Sequence, residues 1–283
     1  MATMRGRSLV EVASVFALLE AILWLAPGVS ELRSWETRVL GASYFAGLLT
    51  VALPLVAVVA SKSGLEEYGL SVRGWARSLG GGLTGYLWLL VPGLVLFVAG
   101  AYGLGVAYMP VSLLVSGVTL LGLPVVLRRL ASPGPPRARR DLALVVLLVA
   151  LPLVAGALAE SLSLRLVSTL AWELVFGGAA EEVMYRGYVQ GRVDEEFGRT
   201  WRLAGVSFGP GLIVSSFFFG VAGALGAVPR LGLGGLSLAV GVHGAALGLF
   251  YGFMRAEAGD VGASSVANGL NEAVGRLLVR ALS

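Results

Sequence analysis

Two adjacent glutamates and an arginine, Glu181, Glu182 and Arg186, interrupt a stretch made almost entirely of apolar residues and glycine. The stretch contains no proline and is predicted to be helical, so Glu182 and Arg186 share a face and can form an ion pair. That pairing lowers the cost of burying either charge. Glu181 points about 100° away, with Tyr185 as a hydrogen-bond partner within reach. A desolvated Glu181 binds protons readily, as a general base that activates water must, although all three charges could instead form only a packing network.

The composition predicts whether water or lipid surrounds the helices near these charges. Hydrophobic residues make up 57% of the chain, charged residues only 13%, and the mean hydropathy is +0.84. Apolar runs of the roughly 20 residues that cross a bilayer recur along the whole length. We therefore expect an all-α, polytopic integral membrane bundle of eight or nine transmembrane helices, surrounded by membrane lipids. The net charge of +4 is explained by loops that face anionic headgroups, and it gives no reason to expect nucleic acid as a partner.

The distribution of arginines predicts the orientation. Lys and Arg near span ends are retained in the cytoplasm, and most of those in this chain fall on one side if the amino terminus is inside. The sequence thus predicts a multi-pass protein of the cell membrane with a cytoplasmic amino terminus. Three regions follow from the pattern of apolar blocks: a four-helix membrane region at 1–127 with an interfacial segment at 61–79, a basic, proline-rich cytoplasmic linker at 128–141, and a membrane core at 142–283.

Several other polar residues in apolar surroundings are candidates for a site. His243 is the only histidine, and we expect an interhelical hydrogen bond or a place in the cavity lining before a catalytic role. The chain has no cysteine, so zinc is disfavoured, and the remaining carboxylates and amides suit hard cations better. Glu173 precedes Glu181 by eight residues and could line the same cavity. Glu11 and Glu20 are nine residues apart, which places them on opposite faces of the first helix.

Three ordered motifs give the carboxyl-terminal half a resemblance to a known family. "EEVMYRG" at 181–187 resembles the EExxxR motif of the CPBP family, which comprises the CAAX-protease and bacteriocin-processing intramembrane proteins. "IVSSFFFGVAG" at 213–223 is similar to the second family motif, in which an aromatic residue, here Phe219, precedes a histidine by four positions. "GLFYGFMRAEAGDVGASSVANGLNEAVG" at 248–275 is similar to the third, which ends in HxxxN or HxxxD.

The chain departs from the family at both histidines. Gly223 occupies the histidine position of the second motif and Asn268 that of the third, with Asn271 and Glu272 nearby. In the family, a glutamate, these histidines and an asparagine are thought to activate water and stabilise an oxyanion, with or without a metal. Asn268 can still donate a hydrogen bond, but it cannot take a proton. Glu272 occupies the position of the family Asn or Asp, and a Glu181/Glu272 pair is a conceivable substitute for acid–base chemistry.

The resemblance implies one function, and the departures leave a second one open. The first is an endopeptidase that uses Glu181-activated water on a peptide or a prenylated peptide near the cytoplasmic face. In that case Glu181, Glu182, Arg186, Asn268 and Glu272 would carry the chemistry. Residues that would line the cavity are Tyr185, Phe219, Gly223, His243, Asn271 and Glu173. The second is an inactive relative that binds a peptide or lipid tail in the retained cavity as a scaffold or immunity partner.

Overall fold

The computed structural model describes residues 6–61, 64–71, 74–105, 108–131, 138–232 and 234–277, and these are predominantly helical. The helices are α1 (Arg7–Leu25), α2 (Pro27–Leu40), α3 (Tyr44–Ala60), α4 (Trp75–Ala101), α5 (Met109–Leu121), α6 (Leu123–Ala131), α7 (Ala138–Leu158), α8 (Leu164–Trp172), α9 (Gln190–Phe197), α10 (Pro210–Leu231), α11 (Gly235–Ala258) and α12 (Gly262–Leu270). A short 3₁₀ helix covers Leu65–Tyr68. Strands β1 (Trp201–Leu203) and β2 (Val206–Phe208) form a small antiparallel hairpin between α9 and α10.

The predicted all-α membrane bundle is confirmed, while the count of eight or nine spans is not. Within the described ranges, six helical stretches are long and apolar enough to cross a membrane: Arg7–Leu25, Trp75–Ala99, Met109–Ala131, Ala138–Leu158, Pro210–Pro229 and Ser237–Ala258. Helix α3 is apolar but only 17 residues long. The helix that carries Glu181 and Glu182 is not among the six, because charged groups of the site interrupt its apolar character.

The predicted regions pack as one bundle. Helix α4, from the amino-terminal region, runs along α12, from the predicted core. At Gly82 the helices are so close that an added Cβ would lie 2.6 Å from the backbone oxygen of Ala263. Residues 128–131 and 138–141, predicted as parts of the linker, belong to α6 and α7, and 132–137 lie outside the described residues. Short loops and glycine contacts therefore bring both halves of the chain to one site.

The segment predicted to lie at the membrane interface, 61–79, covers one end of the helical stretch 164–197, which carries Glu181 and Glu182 and which we call the site helix. Trp75 is 57% exposed, as expected for a side chain at headgroup depth, but Tyr68 is fully buried. The Tyr68 ring stacks on Tyr188, with 6.5 Å between ring centroids. Leu70 lies over Gly187, where its Cδ2 would be 2.9 Å from an added Cβ. Part of this segment thus belongs to the core.

Contacts between helix ends define two opposite faces of the bundle. On the first face, the Ser8 backbone amide donates to Glu196, Arg192 pairs with Glu11 at 2.9 Å, and the Ser78 hydroxyl donates to Asp260. We call it the arginine-rich face, since it holds Arg7, Arg77, Arg128, Arg129, Arg139, Arg140, Arg192, Arg199, Arg202 and Arg255.

The opposite face is formed around α2, and we call it the α2 face. Helix α2 is short and amphipathic, and Gly41 ends it in the left-handed region at φ 83°. Next to it, the Trp172 indole donates to the Ser43 backbone oxygen at 2.8 Å, and the Tyr44 hydroxyl donates to the Ser168 backbone oxygen. These bonds attach α2 and the start of α3 to α8.

Candidate active site

The two glutamates lie on one continuous helical stretch that runs from α8 to α9. Its backbone forms π-helical turns over Glu173–Ala180 and Val183–Val189, on either side of the glutamate pair. Such turns widen a helix locally and are frequent at functional sites, because they change the direction in which side chains point. The tertiary structure therefore departs from the regular helix that the sequence predicts at the position of the candidate chemistry.

Glu182 and Arg186 form the ion pair that their spacing predicts. The distance from Arg186 Nη1 to Glu182 Oε1 is 3.1 Å, and both side chains are fully buried. Arg186 Nη2 also donates to the Gly248 backbone oxygen at 3.4 Å. The guanidinium lies 4.2 Å from the ring centroid of Phe219 and 5.3 Å from that of Tyr251. Arg186 is thus held by charge, by hydrogen bonding and by cation–π contacts at once.

Asn268 joins the first and third motifs. Its side-chain nitrogen donates to the Gly177 backbone oxygen at 2.9 Å and reaches Glu181 Oε2 and Glu182 Oε1 at 3.3 Å each. The residue is 2% exposed. An amide group has only two hydrogens for these three acceptors, so one hydrogen holds the backbone and the other is shared between the carboxylates. The residue at the position of the family histidine is therefore in direct contact with both glutamates.

A glycine contact sets the distance between these motifs. An added Cβ on Gly178 would lie 2.7 Å from Gly269 Cα and 2.9 Å from the Ser265 backbone oxygen. The backbones of the site helix and α12 can approach this closely only because Gly178 and Gly269 have no side chains. The approach places Asn268 against Gly177.

We expect Gly178→Ala to lower the free energy of unfolding by about 1–3 kcal/mol, because the new methyl group meets backbone atoms that cannot turn aside. It should also separate Asn268 from the two glutamates. Gly117→Ala is the matched control, since an added Cβ at Gly117 meets nothing within 4 Å. Unfolding measured in detergent micelles compares the two variants. Equal stability of both would show that the close approach of the backbones does not matter.

Glu181 differs from Glu182 because it lines a large cavity. The cavity has a volume of about 800 Å³ and lies between α1, α2, α3, the site helix and α10. Glu173 and Tyr185 line it with Glu181, while Glu182 remains fully buried behind them. One carboxylate of the pair is thus accessible to a ligand, and the other is held inside the protein.

Other residues predicted for the site lie around this cavity and not in its wall. Among the described residues, the lining does not include Phe219, Gly223, His243, Asn271 or Glu272. Phe219 packs edge-on against Tyr185, with ring centroids 5.1 Å apart, and over Arg186. Glu272 lies against Gly177, where an added Cβ would be 3.8 Å from its side chain and 2.8 Å from Glu173 Oε2. The structure therefore brings Glu272 beside Glu173, which sequence spacing does not indicate.

The positions of Gly223 and His243 follow from how α10 packs on α11. These helices meet through glycines, with an added Cβ on Gly220 only 2.6 Å from the Gly241 backbone oxygen. An added Cβ on Gly223 meets nothing closer than the Val240 backbone oxygen at 4.0 Å, so the family histidine position has open space. His243 Nδ1 is buried and has no hydrogen-bond partner within the described part of the chain.

Sequence reasoning missed three residues at or near the site. Glu20 lines the cavity and accepts a hydrogen bond from the Trp24 indole at 2.9 Å. Glu11, from the same helix, bonds to Arg192 instead. Arg33 lines the cavity from α2. Tyr251 is fully buried beside Arg186, and a tyrosine inside the third motif was the available signal for it.

The opening of the cavity bears on the predicted orientation. Its exposed lining residues, including Ser34 and Arg165, belong to the α2 face, at the opposite end of α1 from the amino terminus. A substrate that enters through this opening therefore enters at the face opposite the amino terminus.

No group of three or more His, Asp or Glu side chains close enough to hold a metal ion occurs in the part of the chain that the structure describes.

Comparison with known proteins agrees with the motifs. Residues 142–274 match the family model described as "Type II CAAX prenyl endopeptidase Rce1-like". The matched range contains the first two motifs and all but the last residue of the third. No curated protein and no solved structure matches the chain significantly. Over this segment, the chain is therefore similar to the CPBP family of CAAX-type intramembrane proteases.

Proposed function

We propose that the protein is an intramembrane endopeptidase in which Glu181 activates the water that attacks a peptide bond. The observation that carries this proposal is the division between the two glutamates. Glu181 lines the cavity, whereas Glu182 is enclosed and paired with Arg186. A general base must reach the substrate and exchange protons with water. A residue that serves only as a fixed charge must keep its proton state and its position, so it is best enclosed. The pair meets both needs at adjacent positions.

The proposed reaction needs no group that the chain lacks. Glu181 takes a proton from water as the water oxygen attacks the carbonyl carbon of the peptide, and the carbonyl oxygen becomes an oxyanion. The Asn268 hydrogen that lies between the carboxylates turns to this oxyanion, a contribution of about 3 kcal/mol for a well-placed donor. Protonated Glu181 then gives its proton to the amide nitrogen, the C–N bond breaks, and an acid and an amine are released.

The shape and lining of the cavity support a peptide as the substrate. At about 800 Å³ the cavity is within the range of ordinary ligand pockets and can hold several residues. Apolar and aromatic side chains such as Leu23, Trp172 and Phe176 alternate with polar ones along it. A lipid-modified peptide, including a prenylated one, fits the same description.

To test the proposal, the purified protein is reconstituted in liposomes and given a prenylated peptide or a generic peptide library to digest. Products are identified by mass spectrometry. The proposal expects cleavage at defined bonds by the wild type and loss of those products with Glu181→Gln. Absence of products from both proteins, with saturable binding retained, would contradict an endopeptidase.

A second function, binding without cleavage, has its own supporting observation. The family histidine position in α10 is a glycine with open space before it, and the Asn268 amide already contacts three acceptors. In this alternative, the cavity holds a peptide or lipid tail and the protein acts as a scaffold or immunity partner.

Restoring both histidines distinguishes the two functions. If the protein only binds, we expect Gly223→His combined with Asn268→His to gain cleavage that the wild type lacks, because histidine can transfer the missing proton. The open space at Gly223 accepts the first side-chain atom without a clash. Each single substitution is the control. A wild type already as active as the double variant would exclude the binding-only function.

A further inference from the structure

The mouth of the cavity carries an excess of positive charge. Arg33, Arg38 and Arg165 line it at the α2 face, where Glu20 is the acidic residue that accompanies them. The other two acids of the lining, Glu173 and Glu181, lie deeper. Glu36, although on α2, is buried and accepts a bond from the Ser43 hydroxyl at 2.6 Å, so it does not neutralise the mouth.

Arg33 is held in place at this mouth. Its Nη1 donates to the Leu23 backbone oxygen at 2.5 Å, and its guanidinium lies 5.0 Å from the ring centroid of Trp24. The residue also lines the cavity. A guanidinium that is fixed by one nitrogen and faces a cavity is suited to bind a carboxylate or phosphate there. Arg165 is fixed nearby, since its Nη2 donates to the Thr37 backbone oxygen at 3.3 Å.

The mouth and the arginine-rich face are at opposite ends of the bundle. Helix α1 runs from Ser8, which bonds to Glu196 on the arginine-rich face, to Leu23 and Trp24 at the mouth. The positive-inside rule makes the arginine-rich face cytoplasmic. A ligand that enters at the α2 face therefore comes from the other side of the membrane.

The geometry points to a cavity that is loaded from the non-cytoplasmic side by a peptide whose anionic group binds to Arg33 and Arg165. This inference rests on the proposed function and adds the side of entry and the charge of the substrate. Arg165 and Glu181 are sixteen residues apart along the site helix, which corresponds to at most about 24 Å. An extended chain covers about 3.3–3.6 Å per residue, so the anionic group lies within about seven residues of the bond at Glu181.

The side of entry can be tested directly, because the chain has no cysteine. Ser34→Cys places a thiol at the exposed mouth, and Thr200→Cys places one beside the hairpin of the arginine-rich face. In right-side-out membrane vesicles, a membrane-impermeant maleimide should label Ser34→Cys at once and Thr200→Cys only after permeabilisation. The reverse pattern would overturn entry from the non-cytoplasmic side, whether or not Glu181 catalyses cleavage.

Charge recognition is tested by binding to Glu181→Gln protein, which leaves the peptide intact. The probes are tritium-labelled decapeptides of Leu, Ala and Ser with the carboxyl terminus free or amidated. We expect the free acid to bind about ten-fold more tightly, and Arg33→Gln to remove that difference, as a lost charge-assisted bond predicts. Arg33→Lys should restore part of it. Arg202→Gln, at an exposed position on the opposite face, is the matched control and should preserve it.

The liposome composition separates a peptide anion from a lipid phosphate. The binding measurements are repeated in phosphatidylcholine alone and with phosphatidylglycerol added. A free-acid preference that persists in both compositions supports a peptide ligand. The inference would be overturned if phosphatidylglycerol abolished the preference for the free acid. It would also be overturned if Glu181→Gln proteins with and without Arg33→Gln showed the same preference. Binding with these properties but without cleavage by the wild type would leave the inference intact and remove only the proposed function.

Discussion

Glu181→Gln is expected to lower the rate of peptide cleavage by about 10²–10⁴-fold, the range for loss of a positioned general acid or base. Glutamine has nearly the same shape as glutamate and can still accept the hydrogen bond that Asn268 donates to Glu181 Oε2. It cannot take a proton from water. The loss should therefore be in kcat, while the Kd for a peptide bound in the cavity changes little.

Matched substitutions show whether this effect belongs to Glu181 alone. Glu31→Gln removes the same charge from an exposed position on α2 and should leave cleavage unchanged. Glu173→Gln changes another acid of the same cavity lining. If Glu181→Gln cleaves at more than about a tenth of the wild-type rate, Glu181 is not the base, because even the weaker cases exceed that loss. A large loss in Glu173→Gln alone would transfer the role to Glu173.

Arg186→Met is expected to lower the free energy of unfolding by about 3–5 kcal/mol, because it leaves the Glu182 carboxylate buried without its cation. Both side chains are fully buried, so water cannot replace the lost partner. Methionine retains much of the volume between Phe219 and Tyr251, so the main loss is electrostatic. Unfolding by a denaturing detergent in mixed micelles measures the change.

Two controls test the prediction for Arg186: a double variant that removes both buried charges, and a variant that breaks a more exposed ion pair. Glu182→Gln combined with Arg186→Met should recover much of the stability, since no unpaired charge then remains. Arg192→Met breaks the pair with Glu11, whose side chains are 16% and 27% exposed, and should cost about 1 kcal/mol or less. If Arg186→Met costs no more than Arg192→Met, Glu182 is not a buried anion in need of a cation.

Periodicity and composition were sufficient for the local part of the site. Four-residue spacing predicts the Glu182–Arg186 pair, and the structure confirms it, because neighbours on a helix meet whatever surrounds the helix. The order of the three motifs identified Asn268 as a candidate, and the structure places its side chain in contact with Glu181.

The long-range part of the site depends on contacts that no local pattern describes. The close approach of Gly178 and Gly269 places Asn268 between the glutamates. The helices packed around the pair leave Glu181 in the lining of the cavity and enclose Glu182. Arg33 reaches the cavity because α2 folds back over α1 and α3, a path that amphipathicity alone does not specify.

By itself, the amino-acid sequence determined a membrane-embedded helical bundle, a paired glutamate and arginine on one helix, and a resemblance to a protease family, because these depend on hydropathy, helical spacing and ordered motifs. Only the tertiary structure decided which carboxylate meets a ligand and on which face the cavity opens. Those properties depend on which helices pack together and how closely their backbones approach, and burial and access are set by neighbours far away in the chain.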